Sequence, residues 1–442
     1  MKKELSFNIP ASNLPRLVII GGGFAGIELV KHLKKSDFQI VLLDRHNYHT
    51  FQPLLYQVAT AGLEPDSIAG PLRKLFKRQK NVFFRMATVD QVDHDRKEIH
   101  TSIGELRYDY IVFAHGTVTN YFGNDKLKEN SFPLKQIPQA LDLRSNILQN
   151  LEKAVLVNDL NQRQALMNFV IVGGGPTGVE VAGALGELKL HVLPRDFPEL
   201  DLRSMQIHLV EGTDRLLGGM SEQAGEKAKK YLGKFEVQVW LKKMVKEYDG
   251  IEVKFDSGEQ ILTKNLIWAA GVTGNVLAGI PESSLGKGNR LIVDDYSNVK
   301  GLKNAYAIGD IAIMQTKDFP EGHPQQAPVA IQQAKNLATN LSKIQRGKTP
   351  KRFKYNDRGS MATVGRNRAV VDLKFWKFQG AFAWLVWMFV HLMSIYSVRN
   401  RFVTLMNWMW NYFTYDRGAR LIIRPFVPNK NKDEKSAELE KL

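Results

Sequence analysis

Two glycine-rich motifs, each placed directly after a short apolar run, most constrain how this chain of 442 residues can fold. RLVII (Arg16–Ile20) leads into GGGFAG, and NFVIV (168–172) leads into GGGPTG. Continuous apolar runs of this length are typical of strands buried on both faces of a parallel sheet. Each motif is followed by helical spacing and then by a second apolar run that ends in an acid, Asp44 or Glu211. The sequence therefore predicts two βαβ units whose glycine motifs start 152 positions apart.

The glycine spacing GxGxxG has a physical purpose in such a unit. The three glycines allow a tight turn, close approach of the backbone to a pyrophosphate, and close packing of helix on strand. The helix N-terminus then faces the anion, and the acid accepts hydrogen bonds from an adenosine ribose. We therefore predict two dinucleotide sites, formed by Gly21, Gly23, Gly26 and Asp44 and by Gly173, Gly175, Gly178 and Glu211.

Each of these motifs has a plainer alternative. Glycine-rich turns occur without a ligand, and an acid at the end of a strand is often a solvated surface charge. In the second site, the carboxylate of Glu211 would repel a 2′-phosphate, which favours NADH over NADPH. Arg215 lies close enough in sequence to soften that repulsion.

The chain has no cysteine, and this excludes several classes of redox protein. Disulfides, thiolate zinc sites, iron–sulfur clusters and dithiol centres all need cysteine. His46, His49 and His391 invite a metal site, but no clear carboxylate pattern accompanies them. We interpret them as loop or core histidines and predict no metal.

The net charge of +16 is concentrated near the C-terminal end. Residues 351–442 contain 17 basic and 7 acidic residues, and the remaining 350 residues carry only +6. Such an excess is typical of proteins that bind nucleic acid, an anionic membrane or acidic substrates. No recognised nucleic-acid module is present, so we predict membrane lipids as partner and no nucleic acid. The first fifteen residues lack the apolar run of a secretion signal, which predicts a cytoplasmic protein.

Two uncharged segments, 378–398 and 402–415, follow one another in this basic region. The first is long enough to span a bilayer, but aromatic rings lie along its middle, whereas spanning helices concentrate such rings near their ends. We therefore predict a pair of amphipathic helices in the membrane interface; a spanning helix and a buried dimer or core helix are the alternatives. The side chains predicted to meet the membrane are Trp384, Trp387, Trp408, Phe413, Arg399, Arg401, Arg417 and Arg420.

A larger set of motifs joins the two glycine loops across about residues 14–424. They are VIIGGGFAGIELVKHL, FQPLLYQVATAG, VIVGGGPTGVEVAGAL, NLIWAAGV, NAYAIGD, QAPVAIQQAKNLA, GSMATVGRNRAVV, and WLVWMFVHL followed by RNR and RGARL. With them the sequence resembles the type II NADH:quinone oxidoreductases, which do not pump protons and belong to the flavoproteins with two dinucleotide-binding domains. The resemblance implies FAD on the first loop, NADH on the second, transfer of two electrons to a membrane quinone, and a monotopic anchor.

The same resemblance implies roles for particular residues. Asp310 would contact the ribityl or pyrophosphate part of FAD, although AIGD could be an ordinary turn between strand and helix. Glu180 would act beside flavin and nicotinamide, or serve only as a capping or structural charge. Gln332 and Gln333 would lie near the quinone, or be simple polar helix residues. The other implied cofactor-binding residues are Phe24, Ala25, Arg45, Val89, Gly116, Gly309, Ala327 and Gly271.

Two residues depart from the family pattern. His115 stands in the segment where the family usually has ATG, which leaves that flavin contact open. Pro328 stands where many members have glutamine, so one candidate hydrogen bond to quinone is absent. Sulfide:quinone oxidoreductases and disulfide reductases of the same fold need redox cysteines, and this chain has none.

The predicted fold is α/β, with two Rossmann-like domains and a C-terminal helical anchor. We expect an FAD-binding domain in 1–135 and 291–365, an NADH-binding domain in 136–290, and an anchoring region in 366–442 with a disordered end. We further expect a homodimer, peripheral on the cytoplasmic face of the cell membrane and part of a respiratory chain. A flavin-dependent NADH reductase of another acceptor, and a flavoprotein with a mainly binding role, stay as alternatives.

Overall fold

A computed structural model of the chain describes residues 6–428. The chain forms two compact units. The first contains the residues up to 50 together with 69–118 and 272–357, and the second contains 51–68, 119–271 and the residues from 358 onward. This division is coarser than the predicted domains, since it groups the C-terminal helices with the second glycine motif. The predicted disordered end, from residue 429, lies outside the described residues.

The strands are short and numerous. In chain order they are β1 (Arg16–Ile20), β2 (Gln39–Asp44), β3 (Tyr48–Thr50), β4 (Ala69–Pro71), β5 (Val82–Met86), β6 (Val89–Asp93), β7 (Glu98–Thr101), β8 (Gly104–Arg107), β9 (Tyr110–Phe113), β10 (Thr117–Thr119), β11 (Phe132–Pro133), β12 (Phe169–Val172), β13 (Ile207–Glu211), β14 (Val237–Leu241), β15 (Val245–Tyr248), β16 (Glu252–Phe255), β17 (Gln260–Leu262), β18 (Asn265–Trp268), β19 (Val272–Gly274), β20 (Leu285–Gly286), β21 (Arg290–Ile292), β22 (Ala305–Ala307), β23 (Ala312–Ile313), β24 (Ser360–Thr363), β25 (Ala369–Asp372) and β26 (Lys377–Gly380).

The helices range from single turns to twenty residues. In chain order they are α1 (Phe24–His32), α2 (Leu55–Ala59), α3 (Pro65–Ile68), α4 (Leu72–Leu75), α5 (Asp125–Asn130), α6 (Ile137–Leu156), α7 (Leu160–Met167), α8 (Pro176–Glu187), α9 (Leu193–Asp196), α10 (Glu222–Gly233), α11 (Ala327–Ile344), α12 (Ala381–Ser394) and α13 (Val398–Thr414). A π-helical turn, Leu188–Val192, connects α8 to α9.

The first unit is built on a parallel sheet of five strands in the order β22-β9-β1-β2-β5. The central strand β1 is apolar after Arg16 and almost fully buried, as expected for a strand covered on both faces. The chain leaves β1 toward β2, whereas β9 lies on the other side. Strand order therefore reverses between β1 and β9, and open α/β sheets bind ligands at the carboxyl ends of the strands at such a point.

The second unit repeats this arrangement with the order β11-β18-β12-β13-β14, again all parallel. An antiparallel sheet of β15, β16 and β17 packs on it through a core that includes Val170, Tyr248 and Leu266. The strand order reverses between β12 and β18. The predicted α/β fold with two Rossmann-like parts is thus confirmed.

The C-terminal region begins with an antiparallel sheet of β24, β25 and β26 and continues into α12 and α13. The helix in the uncharged segment 378–398 is shorter than that segment and ends at Ser394. Phe378 pairs with Val371, and the positive φ of Gly380 (+94°) ends the strand, so that α12 begins only at Ala381. None of the helices within residues 6–428 combines the length and apolar content needed to cross a bilayer.

Candidate functional site

The first glycine loop, between β1 and α1, has the geometry of a dinucleotide cradle. Gly21 has a φ of +106°, and a Cβ there would lie 2.5 Å from the Ala114 carbonyl oxygen. A Cβ at Gly26 would overlap the Gly21 carbonyl oxygen, whereas one at Gly23 would meet nothing within 4 Å. Packing therefore requires glycine at the first and third positions. The middle glycine leaves space in which a pyrophosphate can approach the backbone.

The second glycine loop, between β12 and α8, repeats this geometry. Gly173 has a φ of +112°, and a Cβ there would lie 2.6 Å from the Ala269 carbonyl oxygen. A Cβ at Gly178 would overlap the Gly173 carbonyl oxygen, and one at Gly175 would again meet nothing within 4 Å. Both loops therefore fit a dinucleotide pyrophosphate.

The acids at the ends of β2 and β13 are oriented by their own loops. The Gly22 N–H donates to Asp44 Oδ2 at 2.6 Å, and the Gly174 N–H donates to Glu211 Oε2, also at 2.6 Å. An ionised carboxylate has about four acceptor positions, so each acid keeps capacity for the hydroxyls of a ribose. Both acids thus stand where the sequence predicted.

Arg215 is bonded within its own loop rather than to Glu211. Its Nη2 donates to the Gly218 carbonyl at 2.8 Å, and the Arg215 carbonyl accepts from Thr213 Oγ1 at 3.1 Å. The second oxygen of Glu211 accepts from the Thr213 N–H at 2.8 Å. The expected softening of the Glu211 charge by Arg215 therefore lacks a direct ion pair.

The AIGD turn lies beside the first loop in the same unit. A Cβ at Gly309 would lie 3.2 Å from the Ala25 Cβ, so the turn and α1 approach each other closely. The Gly309 N–H donates to Gln333 Oε1 at 2.8 Å, and the Asp310 carbonyl accepts from Gln325 Nε2 at 3.1 Å. The fully buried Gln333 thus holds the turn that carries Asp310.

Gln332 is engaged with the backbone of a single residue. Its Nε2 donates to the Asn356 carbonyl and its Oε1 accepts from the Asn356 N–H, both at 3.0 Å. Pro328 lies in the first turn of α11, where its missing N–H would have no intrahelical partner in any case. A direct quinone contact of Gln332 or Gln333 stays a prediction.

The other predicted cofactor residues lie at the edges of these elements. All but Gly271 belong to the first unit. Phe24 and Ala25 begin α1, Arg45 follows β2, Val89 begins β6, Gly116 separates β9 from β10, Ala327 begins α11, and Gly271 follows β18.

Two of the histidines that could suggest a metal, His49 and His391, are buried in the protein. Burial lowers the pKa of His49 to about 4, and its Nδ1 lies 3.3 Å from the Gly22 carbonyl, so the neutral ring supports the first loop. Burial likewise lowers the pKa of His391 to about 4. Within residues 6–428, only Glu98, His100 and Glu105 form a group with metal-ligand spacing. It lies on a partly exposed hairpin, where His100 Nδ1 is 3.1 Å from Glu105 Oε1.

Glu180 lies inside α8 and is buried. Burial raises its pKa to about 8, and the Thr363 N–H, 3.5 Å from Oε1, together with the Trp387 indole offsets part of the rise. The carboxyl group is therefore protonated at neutral pH. A capping role requires a charged carboxylate in the first turn, and α8 has no acid there.

Two aromatic side chains, Tyr56 and Trp387, lie close enough to interact electrostatically with Glu180, which the sequence did not indicate. Tyr56 is buried, its pKa is raised by burial and then by the charge of Glu180, and its hydroxyl accepts from Gln57 Nε2 at 2.9 Å. Trp387 stacks on His391 with ring centroids 4.1 Å apart. Tyr56 lies in the motif FQPLLYQVATAG, and Trp387 and His391 lie in WLVWMFVHL. Neither motif indicates that these residues lie near Glu180, because they come from separate parts of the chain.

The predicted membrane contacts of Trp387, Trp408 and Arg417 are wrong. Trp387 is 1% and Trp408 8% exposed, since both face the interior of the second unit. The Trp408 indole donates to Gln57 Oε1 at 2.8 Å. The Arg417 guanidinium is buried against Glu187, with Nη2 3.0 Å from Oε2.

The helix α13 turns its polar side inward. Side chains at intervals of three and four residues donate to the segment 51–68: Asn400 Nδ2 to Asp66 O (2.7 Å), Thr404 Oγ1 to Ser67 O (3.4 Å), Trp408 Nε1 to Gln57 Oε1 (2.8 Å) and Asn411 Nδ2 to Gly62 O (3.2 Å). The opposite side is apolar and exposed, with Phe413 80% exposed. The helix is thus inverted relative to an ordinary surface helix of a soluble protein.

Exposed apolar side chains continue from α13 onto α12 and the β25–β26 hairpin. Phe375, at the hairpin tip, is 92% exposed. Trp376 contacts Phe378 (4.3 Å between centroids) and Phe378 contacts Phe382 (5.4 Å), which joins the hairpin to α12. We name the following set the apolar surface: Phe375, Trp376, Phe382, Leu385, Phe389, Val398, Phe402, Met409 and Phe413.

Two protein-family models match the chain. The model of the pyridine nucleotide-disulphide oxidoreductases matches residues 15–334, and that of the NDH2 C-terminal domain matches residues 358–415. The two matches together cover both units.

Relatives and a solved structure agree with these models. The type II NADH:quinone oxidoreductase Ndh of Mycobacterium tuberculosis is 34% identical over 96% of this chain and 94% of its own length, and NdhA of the same organism is 35% identical over 93% and 90%. The structure of NDH2 from Plasmodium falciparum in complex with NADH has the same fold, with a TM-score of 0.85 and 21% identity over 93% of this chain and 100% of that chain. The family inferred from the motifs is thereby confirmed, and this chain belongs to the type II NADH:quinone oxidoreductases.

Proposed function

We propose that the chain binds FAD and NADH and catalyses the two-electron oxidation of NADH by a quinone. The observation that carries this proposal is the pair of glycine cradles, because each fits a dinucleotide within one chain. When bound, FAD supplies the chemistry that accepts two electrons and passes them on. A dithiol relay is excluded because the sequence has no cysteine. The activity predicted from the sequence is that of the family to which the chain belongs.

In the first unit, the loop 21–26 and the N-terminus of α1 hold the pyrophosphate of FAD. Asp44 accepts from the adenosine ribose. Gln333 holds the AIGD turn against α1 and thereby places Asp310. The close approach of Gly309 to Ala25 supports this arrangement, since a larger residue would push the turn away from the cradle.

In the second unit, the loop 173–178 holds the pyrophosphate of NADH. Glu211 accepts from the hydroxyls of its adenosine ribose and repels a 2′-phosphate, so NADH is preferred over NADPH. Gly271 lines the crevice at the carboxyl end of β18.

Glu180 is the acid that we infer for quinone reduction, which consumes two protons. Its carboxyl oxygen holds a proton at neutral pH because burial disfavours the charged form. A buried acid with a pKa near the working pH can donate a proton and recover it. Tyr56 and Trp387 interact with it, and its burial limits the access of water.

We further infer that the apolar surface lies on the cytoplasmic face of the membrane, as a peripheral attachment. A continuous exposed apolar patch marks an interaction site, and the basic excess of residues 351–442 favours anionic lipid. Exposed Lys374 and Lys377 flank the aromatic hairpin tip. A reductase that works wholly in solution leaves this surface unexplained. The homodimer stays a prediction, which analytical ultracentrifugation in detergent would test.

Steady-state oxidation of NADH by the purified protein tests the enzymatic proposal. With water-soluble analogues of ubiquinone and menaquinone, we expect NADH oxidation that depends on added quinone. Denaturation should release one FAD per chain, since the second cradle takes NADH. No flavin, two FAD per chain, or NADH oxidation with ferricyanide but with neither quinone would contradict the proposal.

Vesicle binding tests the membrane proposal. The double substitution Phe402→Ser and Phe413→Ser removes two outward rings and should weaken binding to anionic vesicles by at least about tenfold, or about 1.4 kcal/mol. The matched control is Leu156→Ser with Leu160→Ser, which removes two exposed leucines outside the apolar surface. Deletion from Phe378 onward is less informative, because it would uncover the segment 51–68. If both double variants lose the same amount of vesicle binding, the assignment of the apolar surface to the membrane is wrong.

A further inference from the structure

Phe122 combines a left-handed backbone with an exposed ring. Its φ is +53° and its side chain is 70% exposed. The left-handed region is unfavourable for bulky residues, and burial of the ring does not offset the strain here. Strained residues of this kind cluster at ligand sites. The ring therefore needs a reason beyond packing.

Contacts of the two preceding residues hold this backbone in place. The Phe122 N–H donates to Asn120 Oδ1 at 2.9 Å, and the Asn120 carbonyl accepts from Trp268 Nε1 at 2.8 Å. The Asn120 N–H donates to the Gly271 carbonyl at 3.2 Å. Tyr121 stacks on Trp268 with centroids 5.7 Å apart. The loop is thereby clamped onto the carboxyl end of β18.

The strand order of the second unit indicates what the ring faces. A dinucleotide lies across the crevice where strand order reverses, here between β12 and β18. Glu211 ends β13, which lies beside β12, so the adenosine half of the dinucleotide lies on the β13 side of β12. The nicotinamide half then extends over the end of β18, where Gly271 lies. A Cβ at Gly271 would be 3.6 Å from Cζ of Phe122.

We propose that the Phe122 ring forms an apolar wall for the nicotinamide half of NADH. This inference rests on the proposed function, because it places NADH in the second cradle. The ring excludes water from one side of the nicotinamide and its ribose, and it limits the positions that they can occupy. Phe122 is thus a binding and positioning residue, held by Asn120 and Trp268.

A tight turn by itself explains the backbone at Phe122 but not its side chain. Gly123 follows with a φ of +79°, so the chain reverses direction here. Glycine or asparagine at position 122 would adopt the same backbone without strain. The turn accounts for the backbone conformation but not for an exposed aromatic ring, whose one ring contact within residues 6–428 is with Trp268 at 6.5 Å between centroids.

Substitutions can separate the ring from the backbone. Phe122→Gly and Phe122→Asn remove the ring and suit the left-handed conformation, and Phe122→Tyr keeps the ring. Lys97→Gly is a matched control, because Lys97 is also exposed with a φ of +51° but lies in a turn of the first unit. The FAD-loaded proteins are compared in their Tm, in their calorimetric affinity for NAD⁺ and for AMP, and in KM and kcat for NADH with ferricyanide.

We expect Phe122→Gly to raise the Tm by a few degrees and to weaken NAD⁺ binding about tenfold. Phe122→Asn should behave in the same way. KM for NADH should rise by a similar factor, with kcat and FAD content unchanged. AMP lacks the nicotinamide half and should bind equally well. Phe122→Tyr should keep the affinity for NAD⁺, and Lys97→Gly should raise only the Tm.

The higher Tm and the weaker NAD⁺ binding of Phe122→Gly must occur together. A merely structural role of Phe122 would not raise stability while lowering the affinity for NAD⁺. Unchanged NAD⁺ affinity in Phe122→Gly and Phe122→Asn would overturn the inference. An equal loss of AMP and NAD⁺ binding would also overturn it, because the effect would then concern the whole crevice. If the unmodified protein neither binds NAD⁺ nor oxidises NADH, the proposed function itself fails, which is a distinct result.

Discussion

The two glycine loops have nearly the same backbone and very different surroundings. Their first glycines have φ values of +106° and +112°, and in both an acid accepts a loop N–H at 2.6 Å. Around the first loop, neutral His49 supports the backbone and Gln333 holds the AIGD turn against α1. Around the second lie a protonated Glu180 and the strained Phe122. The two loops are thus alike in backbone, whereas side chains from distant parts of the chain give each loop different surroundings.

The largest expected effect comes from adding one methyl group to either loop. Gly26→Ala and Gly178→Ala place a Cβ on the carbonyl oxygen of the first glycine in each loop. Because each Cβ overlaps backbone, helix and strand must move apart and the cradle opens. We expect Gly26→Ala to be isolated without flavin, and Gly178→Ala to retain FAD but lose NADH oxidation by at least about a hundredfold, or about 2.7 kcal/mol.

Absorbance at the flavin band and NADH kinetics check this pair. Gly233→Ala serves as the control, because Gly233 is exposed on α10 outside both loops and a Cβ there meets nothing within 4 Å of protein. Retention of FAD by Gly26→Ala, or loss of FAD from Gly178→Ala, would show that the two cradles are assigned to the wrong ligands.

The next effect concerns proton supply. Glu180 has a pKa raised to about 8, so its proton is present below that pH and is lost above it. The rate with quinone should therefore fall as pH rises through about 8. Glu180→Gln should lower that rate by about a hundredfold and flatten the pH profile. Activity with ferricyanide, which takes up no proton, should change much less. Equal loss with both acceptors would contradict the role as proton donor.

The ionisation of Glu180 should also make the free energy of unfolding depend on pH. The native state binds more protons than the unfolded state between pH of about 4.5 and about 8, since the folded pKa is raised. The free energy of unfolding therefore falls as pH rises through this window, by up to about 1.4 kcal/mol per pH unit. Glu180→Gln lacks this slope. Denaturant titrations at several pH values measure it.

A smaller effect separates the coenzymes. Glu211→Gln removes the charge that repels a 2′-phosphate, so the preference for NADH over NADPH should narrow by about tenfold, or about 1.4 kcal/mol. KM should rise for both coenzymes, because the amide has one oxygen for two backbone donors, the N–H groups of Gly174 and Thr213. The ratio of kcat/KM is the measurement. If the ratio of kcat/KM for NADH over NADPH is unchanged, Glu211 does not contact the ribose.

The smallest effect is expected at Arg215. Its guanidinium is bonded to the Gly218 carbonyl and makes no ion pair with Glu211. Arg215→Ala should therefore change the ratio of kcat/KM for NADH over NADPH by less than about threefold. A change as large as that of Glu211→Gln would mean that Arg215 reaches the 2′-position when coenzyme binds.

Local patterns explain which parts of this protein could be read from its sequence. A buried parallel strand needs a continuous apolar run, and a cradle needs glycine at fixed intervals, so RLVII-GGGFAG and NFVIV-GGGPTG already specified both units and all six glycines. The positions of Asp44 and Glu211 follow from the same spacing. The exposure of Phe413 was also predicted, because it lies in the uncharged, aromatic segment 402–415.

Other features depend on residues that meet only in the folded chain. Neither the neutral state of Glu180 nor its interaction with Tyr56 and Trp387 has a local signature, because burial sets the pKa and the two partners come from 51–68 and α12. For the same reason the sequence could not tell that Trp387 faces inward while Phe389, two residues later, faces outward. Periodicity determines that a helix has two faces, and only tertiary packing decides what covers each of them.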